Sequence, residues 1–229
     1  VIPIKDINPS QSLPVVTVLI ILSCVAVFIY ELSLGPYNRL FLSAFGVIPY
    51  EIAHGVDIPP PALLTPYGNL VSYQYLHGGF LHIIGNMLFL WVFGDNVEDR
   101  MGKLRFLLFY TLCGVVAALI QVFVYPDSRI PLVGASGAIS GVLGAYAILF
   151  PRAGILTLVV VFLFVDVVVL PAALWIGMWF LMQFVSAVFS VNHLSMGGVA
   201  WFAHIGGFLT GLILTKPFCR REEEPLSGF

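Results

Sequence analysis

Residues 133–150 read VGASGAISGVLGAYAILF. A helix opened by Ser136 and closed at Phe150 spans about 22 Å at 1.5 Å per residue, against a hydrocarbon core roughly 30 Å thick. The segment is apolar enough for lipid but shorter than the core it would cross, so Ser136 starts a helix below the membrane surface. Non-helical backbone at that depth is tolerated only where protein buries it or a watery cavity borders it. Gly134 and Ala135 are therefore expected to border such a cavity, which hydrolysis inside a bilayer requires.

The rest of the chain agrees with a membrane setting. Of 229 residues, 59% are apolar and 10% are Asp, Glu, Lys or Arg, where a soluble domain carries roughly a quarter charged. That excludes a soluble globular protein, and equally a disordered one, which needs low hydrophobicity and high charge. Three cysteines make no disulfide framework. A net charge of -2, with no basic stretch interleaved with aromatics, gives no nucleic-acid surface. An all-α membrane protein remains, and residues 1–229 read as one domain.

Apolar runs bounded by charge or by Pro and Gly predict six spans: Leu13 to Tyr30, Phe80 to Val97, Leu104 to Tyr125, Ser136 to Phe150, Ala172 to Ser190 and Val199 to Thr215. Ile155 to Leu170, β-branched-rich but carrying Asp166 and ending at Pro171, reads as a connector on the cytoplasmic side. With six spans, Lys5, Arg100, Lys103, Arg105, Arg152, Lys216, Arg220 and Arg221 fall on one side and only Arg39 and Arg129 on the other. Excess Lys and Arg marks the cytoplasmic face, so both termini are placed there, with residues 216–229 as a short tail. The expected location is a prokaryotic cell membrane. The first loop, residues 31–79, then lies outside. It is Pro-rich yet carries Leu40, Phe41, Leu42, Phe45 and Val47, so it is expected to sit partly in the outer leaflet.

Ionisable or polar groups at membrane depth are costly and mark function by default. Counting back from the cytoplasmic helix ends places Ser136 about 21 Å up, His204 about 17 Å, and His82 and Asn86 about 18 and 12 Å. Three helices thus bring polar side chains to one level. A serine hydroxyl needs a base, and His204 is the base available there. Unpaired N–H groups at a helix N-terminus can stabilise an oxyanion, and His82 and Asn86, one turn apart on one face, can add donors. No carboxylate lies at that depth, so the set is a dyad. Gly137 and Gly141 on the fourth span and Gly207 and Gly211 on the sixth allow the close backbone approach that would join Ser136 to His204.

These residues fall in blocks that resemble the rhomboid family of intramembrane serine proteases. The blocks are Gly134-Ala135-Ser136-Gly137, Ala203-His204-Ile205-Gly206-Gly207, and His77-Gly78-Gly79-Phe80-Leu81-His82 followed by Gly85-Asn86-Met87 and Gly94-Asp95-Asn96-Val97-Glu98. The resemblance covers about Leu70 to Gly211. It implies a six-helix bundle with the fourth helix at its centre, Ser136 as nucleophile and His204 as general base and acid. It also implies that His82, Asn86, Gly134 and the Ser136 N–H surround the oxyanion. Single-pass membrane proteins would be the substrates, the bilayer the medium, and Trp175, Trp179 and Phe180 a lateral gate. No cofactor or metal is implied, and the chain carries no His-Glu-x-x-His pattern of a metalloprotease. Two positions depart from patterns seen in the family. Ser140 stands where some members place a Tyr beneath the histidine, and Gly68-Asn69 where some place Trp-Arg, leaving the orientation of His204 and the anchoring of the first loop open.

Blander readings compete residue by residue. Small residues alone suit helix packing, His204 alone suits a structural hydrogen bond, and His82 and Asn86 alone could hold a water. His77 reads as structural, Glu98 and Arg100 as a local ion pair and cap, and His54 and His193 as solvated loop residues. A catalytically silent rhomboid-like binder of membrane clients, or a small transporter, are the alternative functions.

Overall fold

The computed structural model describes residues 1–59, 61, 64–161, 164–191 and 200–220. Pro60, His193, the expected start of the last span at Val199, and the tail beyond Arg220 lie outside these. The chain is mostly helical. In order it forms β1 (Ile2–Asp6), α1 (Val15–Ser33), the short α2 (Asn38–Phe45), α3 (Pro49–His54) and α4 (Asn69–Ser72), then α5 (Phe80–Met101) and α6 (Lys103–Val124). There follow α7 (Ser136–Leu149), β2 (Gly154–Val161), β3 (Phe164–Pro171), α8 (Ala172–Val191) and α9 (Trp201–Phe218). Helices α1, α5, α6 and α8 are long and apolar enough to cross a membrane, and α7 is a shorter apolar helix.

Helix α7 sits at the centre. Every residue from Gly137 to Tyr146 is buried, as expected of a helix that is apolar all round and has no solvent face. Its glycines set the packing distance. A Cβ on Gly207 would run into the Gly137 carbonyl, one on Gly211 into the Gly141 carbonyl, and one on Gly144 into the Phe208 carbonyl, so α7 and α9 touch backbone to backbone. On the opposite side a Cβ on Gly141 would strike Cys113, and one on Gly137 Ala117, both on α6. In lipid, where apolar burial gives little drive to association, such contact area holds helices together.

The expectation of an all-α chain is corrected by a three-stranded antiparallel sheet in the order β1-β2-β3. Strands β2 and β3 form a hairpin in register from Gly154 opposite Pro171 to Val161 opposite Phe164. Strand β1 adds to β2, with Ile2 opposite Leu158 and Asp6 opposite Ile155. The reason lies in the run ILTLVVV and its partner FVDVVVL, whose β-branched side chains suit a pleated surface better than a helix. A buried cluster pins this sheet to the bundle. Asp6 accepts hydrogen bonds from Asn96 Nδ2 at 2.6 Å and from Tyr146 Oη at 2.8 Å.

Glu98, expected in part as a cap, caps the first span. Its carboxylate accepts from the backbone N–H groups of Val16 (3.0 Å) and Thr17 (2.8 Å) and from the Thr17 hydroxyl (2.8 Å). It therefore caps the positive N-terminus of α1.

The first loop is anchored where the sequence left the question open. Asn69, fully buried, donates to the carbonyls of Ala44 (3.1 Å) and Gly46 (2.9 Å), and Ser72 Oγ to that of Phe45 (2.7 Å). Val47 and Leu132 exchange backbone bonds, and Gly134 N–H donates to the Tyr73 carbonyl at 2.9 Å. Tyr73 in turn donates its hydroxyl to the Gly114 carbonyl of α6 at 2.6 Å. Loop, α6 and the approach to α7 thus form one unit, and it fixes where Ser136 begins. His54, expected as a solvated loop residue, pairs across the surface with Asp127 at 3.0 Å.

Candidate active site

Ser136 opens α7 and His204 lies in the first turn of α9. The serine hydroxyl and His204 Nε2 are 2.8 Å apart. The interlocked glycines of α7 and α9 make this possible, since a side chain at Gly207 would push the helices apart one turn from His204. Both residues are only partly buried, so the pair is reachable. Ser140 donates its hydroxyl to the Ser136 carbonyl at 2.7 Å and does not touch the imidazole.

The imidazole is held by other groups. Its Nδ1 lies 2.8 Å from Oε1 of Gln183 on α8. Trp179 of α8 and Trp201 of α9 flank the ring, with centroids at 6.3 and 6.1 Å. With the oxygen end of the amide toward Nδ1, this arrangement favours the tautomer that carries its proton on Nδ1 and leaves Nε2 with a lone pair facing the serine O–H. The sequence reading passed over Gln183. Counted from Ala172, where α8 begins, it lies about 16 Å along the helix, close to the depth expected for His204. That depth count was the available signal.

On the other side of Ser136 stand His82 and Asn86 of α5. Gly134 has φ +122°, a conformation that L side chains rarely adopt, and a Cβ there would lie 2.7 Å from His82 Nε2 and 3.6 Å from Asn86 Nδ2. The missing side chain is what lets both α5 groups reach the turn before Ser136. His82 Nδ1 accepts from the Gly78 N–H at 3.4 Å, which leaves its Nε2–H to point at that turn. Asn86 Nδ2 is buried with no hydrogen-bond partner among the described residues. An unmet buried donor costs about 1–3 kcal/mol, and one beside a first-turn N–H cluster is suited to a transient negative charge. His77, fully buried, packs edge-on against His82 at 5.2 Å and takes no part in the Ser136 contacts. Burial, then the neighbouring His82, pushes its pKa down to about 4.

Of the three gate candidates, Trp175 and Trp179 meet Phe89 of α5 at 5.4 and 6.4 Å, forming an aromatic seam between α5 and α8. Trp175 is buried there, also touching Phe93 at 5.6 Å. Phe180 faces elsewhere, stacked on Phe208 of α9 at 4.4 Å. Among the described residues no group of three His, Cys, Asp or Glu is placed to hold a metal ion.

Fold and site together define a class: a helical membrane protein whose short central helix offers a serine to a histidine on the adjoining helix. Residues 66–221 match the Rhomboid domain, and the chain belongs to the rhomboid family. Among its relatives, Rhomboid protein 1, mitochondrial, of Saccharomyces cerevisiae is 30% identical over 149 residues, covering 63% of this chain and 40% of that protein. RHOMBOID-like protein 4 of Arabidopsis thaliana is 33% identical over 161 residues, 70% of this chain and 36% of the relative. Rhomboid protease GluP of Bacillus subtilis is 40% identical over 119 residues, 52% of this chain and 21% of the relative. The chain spans under half the length of each. The protein is thus an integral membrane protein. Its relatives come from bacteria, plants and mitochondria alike, so they do not single out a prokaryotic cell membrane.

Proposed function

We propose that this protein is an intramembrane serine endopeptidase, hydrolysing peptide bonds in or near the transmembrane segments of single-pass membrane proteins. The observation that carries the reading is the 2.8 Å contact of Ser136 Oγ with His204 Nε2 at the start of a short, buried helix. His204 takes the hydroxyl proton as the serine oxygen attacks the scissile carbonyl. The resulting oxyanion is met by His82 Nε2–H, Asn86 Nδ2–H and the Ser136 N–H beside Gly134. His204 then gives its proton to the departing amine. Water, activated by the same imidazole, hydrolyses the acyl-enzyme and restores Ser136.

The topology in this reading has six crossings, by α1, α5, α6, α7, α8 and α9, with both termini cytoplasmic and the first loop partly in the outer leaflet. Its support is that β1 pairs with the α7–α8 connector, and that the Arg220 N–H after α9 bonds the Arg100 carbonyl at the end of α5 at 3.0 Å. These segments share one end of the bundle and carry most of the basic residues. Open sheet edges are not tolerated in hydrocarbon, which suits β1–β3 to that cytoplasmic side. Substrate would approach across the α5–α8 seam at Trp175 and Trp179. A silent client binder has no use for an activated serine. A fluorophosphonate probe should label the purified protein and fail to label Ser136→Ala; folded wild type that neither labels nor cleaves a single-pass reporter refutes the proposal.

A further inference from the structure

Helix α8 is apolar except for Gln183, Ser186 and Ser190. Its inward stripe is Ala172, Trp175, Ile176, Trp179, Gln183 and Ala187, at helical spacing, with Gln183 only 4% exposed. Leu174, Met178, Leu181, Met182, Phe184, Val185, Val188 and Phe189 face outward. A single polar side chain in the buried stripe of a lipid-facing helix is costly unless it is paired, and its partner here is the catalytic imidazole at 2.8 Å.

We propose that Gln183 is a positioning residue that acts through His204, and that it makes the seating of α8 a condition of catalysis. This rests on the endopeptidase reading above. With Oε1 of Gln183 facing Nδ1 at 2.8 Å, the tautomer with its proton on Nδ1 is favoured, and the one that would place a proton on Nε2 and leave the serine without a base requires the amide to turn over. The same bond fixes the ring plane, a task that Ser140 does not perform. Trp179, one turn from Gln183 on the same stripe, braces the ring and also touches Phe89 across the seam. A displacement of α8 that parts it from α9 as well as from α5 therefore releases the Gln183 contact and the Trp179 contact together. Admission of substrate and readiness of the base are opposed on one helix: a fully parted α8 leaves His204 unoriented, and chemistry waits for α8 to reseat.

The test compares Gln183→Met, Gln183→Glu, wild type and Ser136→Ala as full-length protein in detergent, measuring kcat and KM on a single-pass reporter across pH, together with fluorophosphonate labelling rate. Methionine keeps the length and apolar packing but loses the acceptor, whereas glutamate keeps the acceptor and adds charge. A packing role favours Met over Glu; a positioning role reverses that order. Gln183→Met should lower kcat and labelling about a hundredfold with KM little changed. Gln183→Glu should stay within about tenfold of wild type and move the acidic limb of its pH profile upward, because a carboxylate facing Nδ1–H favours the imidazolium. The groups around the imidazole from the other helices, Ser136 on α7 and His82 on α5, are the same in both variants. Wild-type kcat in Gln183→Met, equal loss in both, or an unmoved acidic limb overturns the assignment. Should Gln183→Met not fold, Gln183→Leu replaces it, and the limb in Gln183→Glu decides independently. Inactive wild type instead overturns the endopeptidase reading, which separates the two failures.

Discussion

Asn86→Ala separates activity from stability in a way that few active-site substitutions do. The Nδ2 group is buried and has no hydrogen-bond partner among the described residues, so its removal lifts a desolvation penalty of about 1–3 kcal/mol. Loss of the packing contacts of the three side-chain heavy atoms that alanine lacks opposes this, at roughly 2 kcal/mol in all. Net stability should therefore change by no more than about 1 kcal/mol in either direction. The transition state has no such compensation. Removing one oxyanion donor typically costs about 2.7–4 kcal/mol, or 10²–10³ in kcat. Because His82 Nε2–H and the Ser136 N–H remain, the lower end of that range is expected here, on the order of a hundredfold. The assay pairs thermal unfolding in detergent with steady-state cleavage of a single-pass reporter. A change confined to KM would show that Asn86 binds substrate uniformly rather than the developing charge. Loss of kcat accompanied by a fall of several kcal/mol in stability would show instead that the amide is structural, and either result refutes the reasoning.

Gly134→Ala should be inactive while still inserted in the membrane, because φ +122° strains any side chain and the new Cβ collides with the His82 ring; reporter cleavage at wild-type rate would contradict this. Gly211→Val should abolish fluorophosphonate labelling although it touches no catalytic group, since its side chain meets the Gly141 carbonyl and separates α7 from α9; retained labelling would show that the helices can repack. His77, on the first loop, has its pKa depressed from 6.5 to about 4, chiefly by burial. A depressed histidine stabilises the fold above the unfolded pKa and loses that contribution as pH falls through the folded one. The contribution of His77 to the unfolding free energy should thus be flat above about pH 6.5 and decline toward pH 4, by up to about 3 kcal/mol, read as the difference between wild type and the His77→Gln variant. His77→Gln should flatten that decline, and an unchanged slope in the variant would assign the effect elsewhere.

The legible and illegible parts of this protein divide along a physical line. Ser136, His204, His82 and Asn86 were readable because each is a polar exception in a span, and depth follows from counting residues along a helix. Gly137, Gly141, Gly207 and Gly211 were readable for a related reason, since small residues at four-residue spacing state where backbones meet. The sheet was not, because periodicity cannot say whether an apolar β-branched run packs as a strand, and β1 makes a strand only by pairing with a hairpin some 150 residues away. Nor was the anchoring by Asn69, whose acceptors are backbone carbonyls that no side-chain pattern announces.

Gln183 falls between these cases, and it shows what the depth argument omits. It is a polar exception at the right level, yet a neutral amide carries no charge to call attention to it, and its role becomes visible only once the other nitrogen of His204 is accounted for. An imidazole that must accept a proton at Nε2 has to give its own proton to something at Nδ1. With no carboxylate at that depth, the acceptor had to be a neutral oxygen on a helix facing His204, and α8 supplies one from the same buried stripe that presents Trp175 and Trp179 to α5. A neutral acceptor favours the productive tautomer without placing a permanent anion in the bilayer, where a carboxylate would have to be desolvated. Such a base is weaker than one backed by a carboxylate, so more of the rate enhancement falls to oxyanion stabilisation, which is why the donors of α5 should matter most.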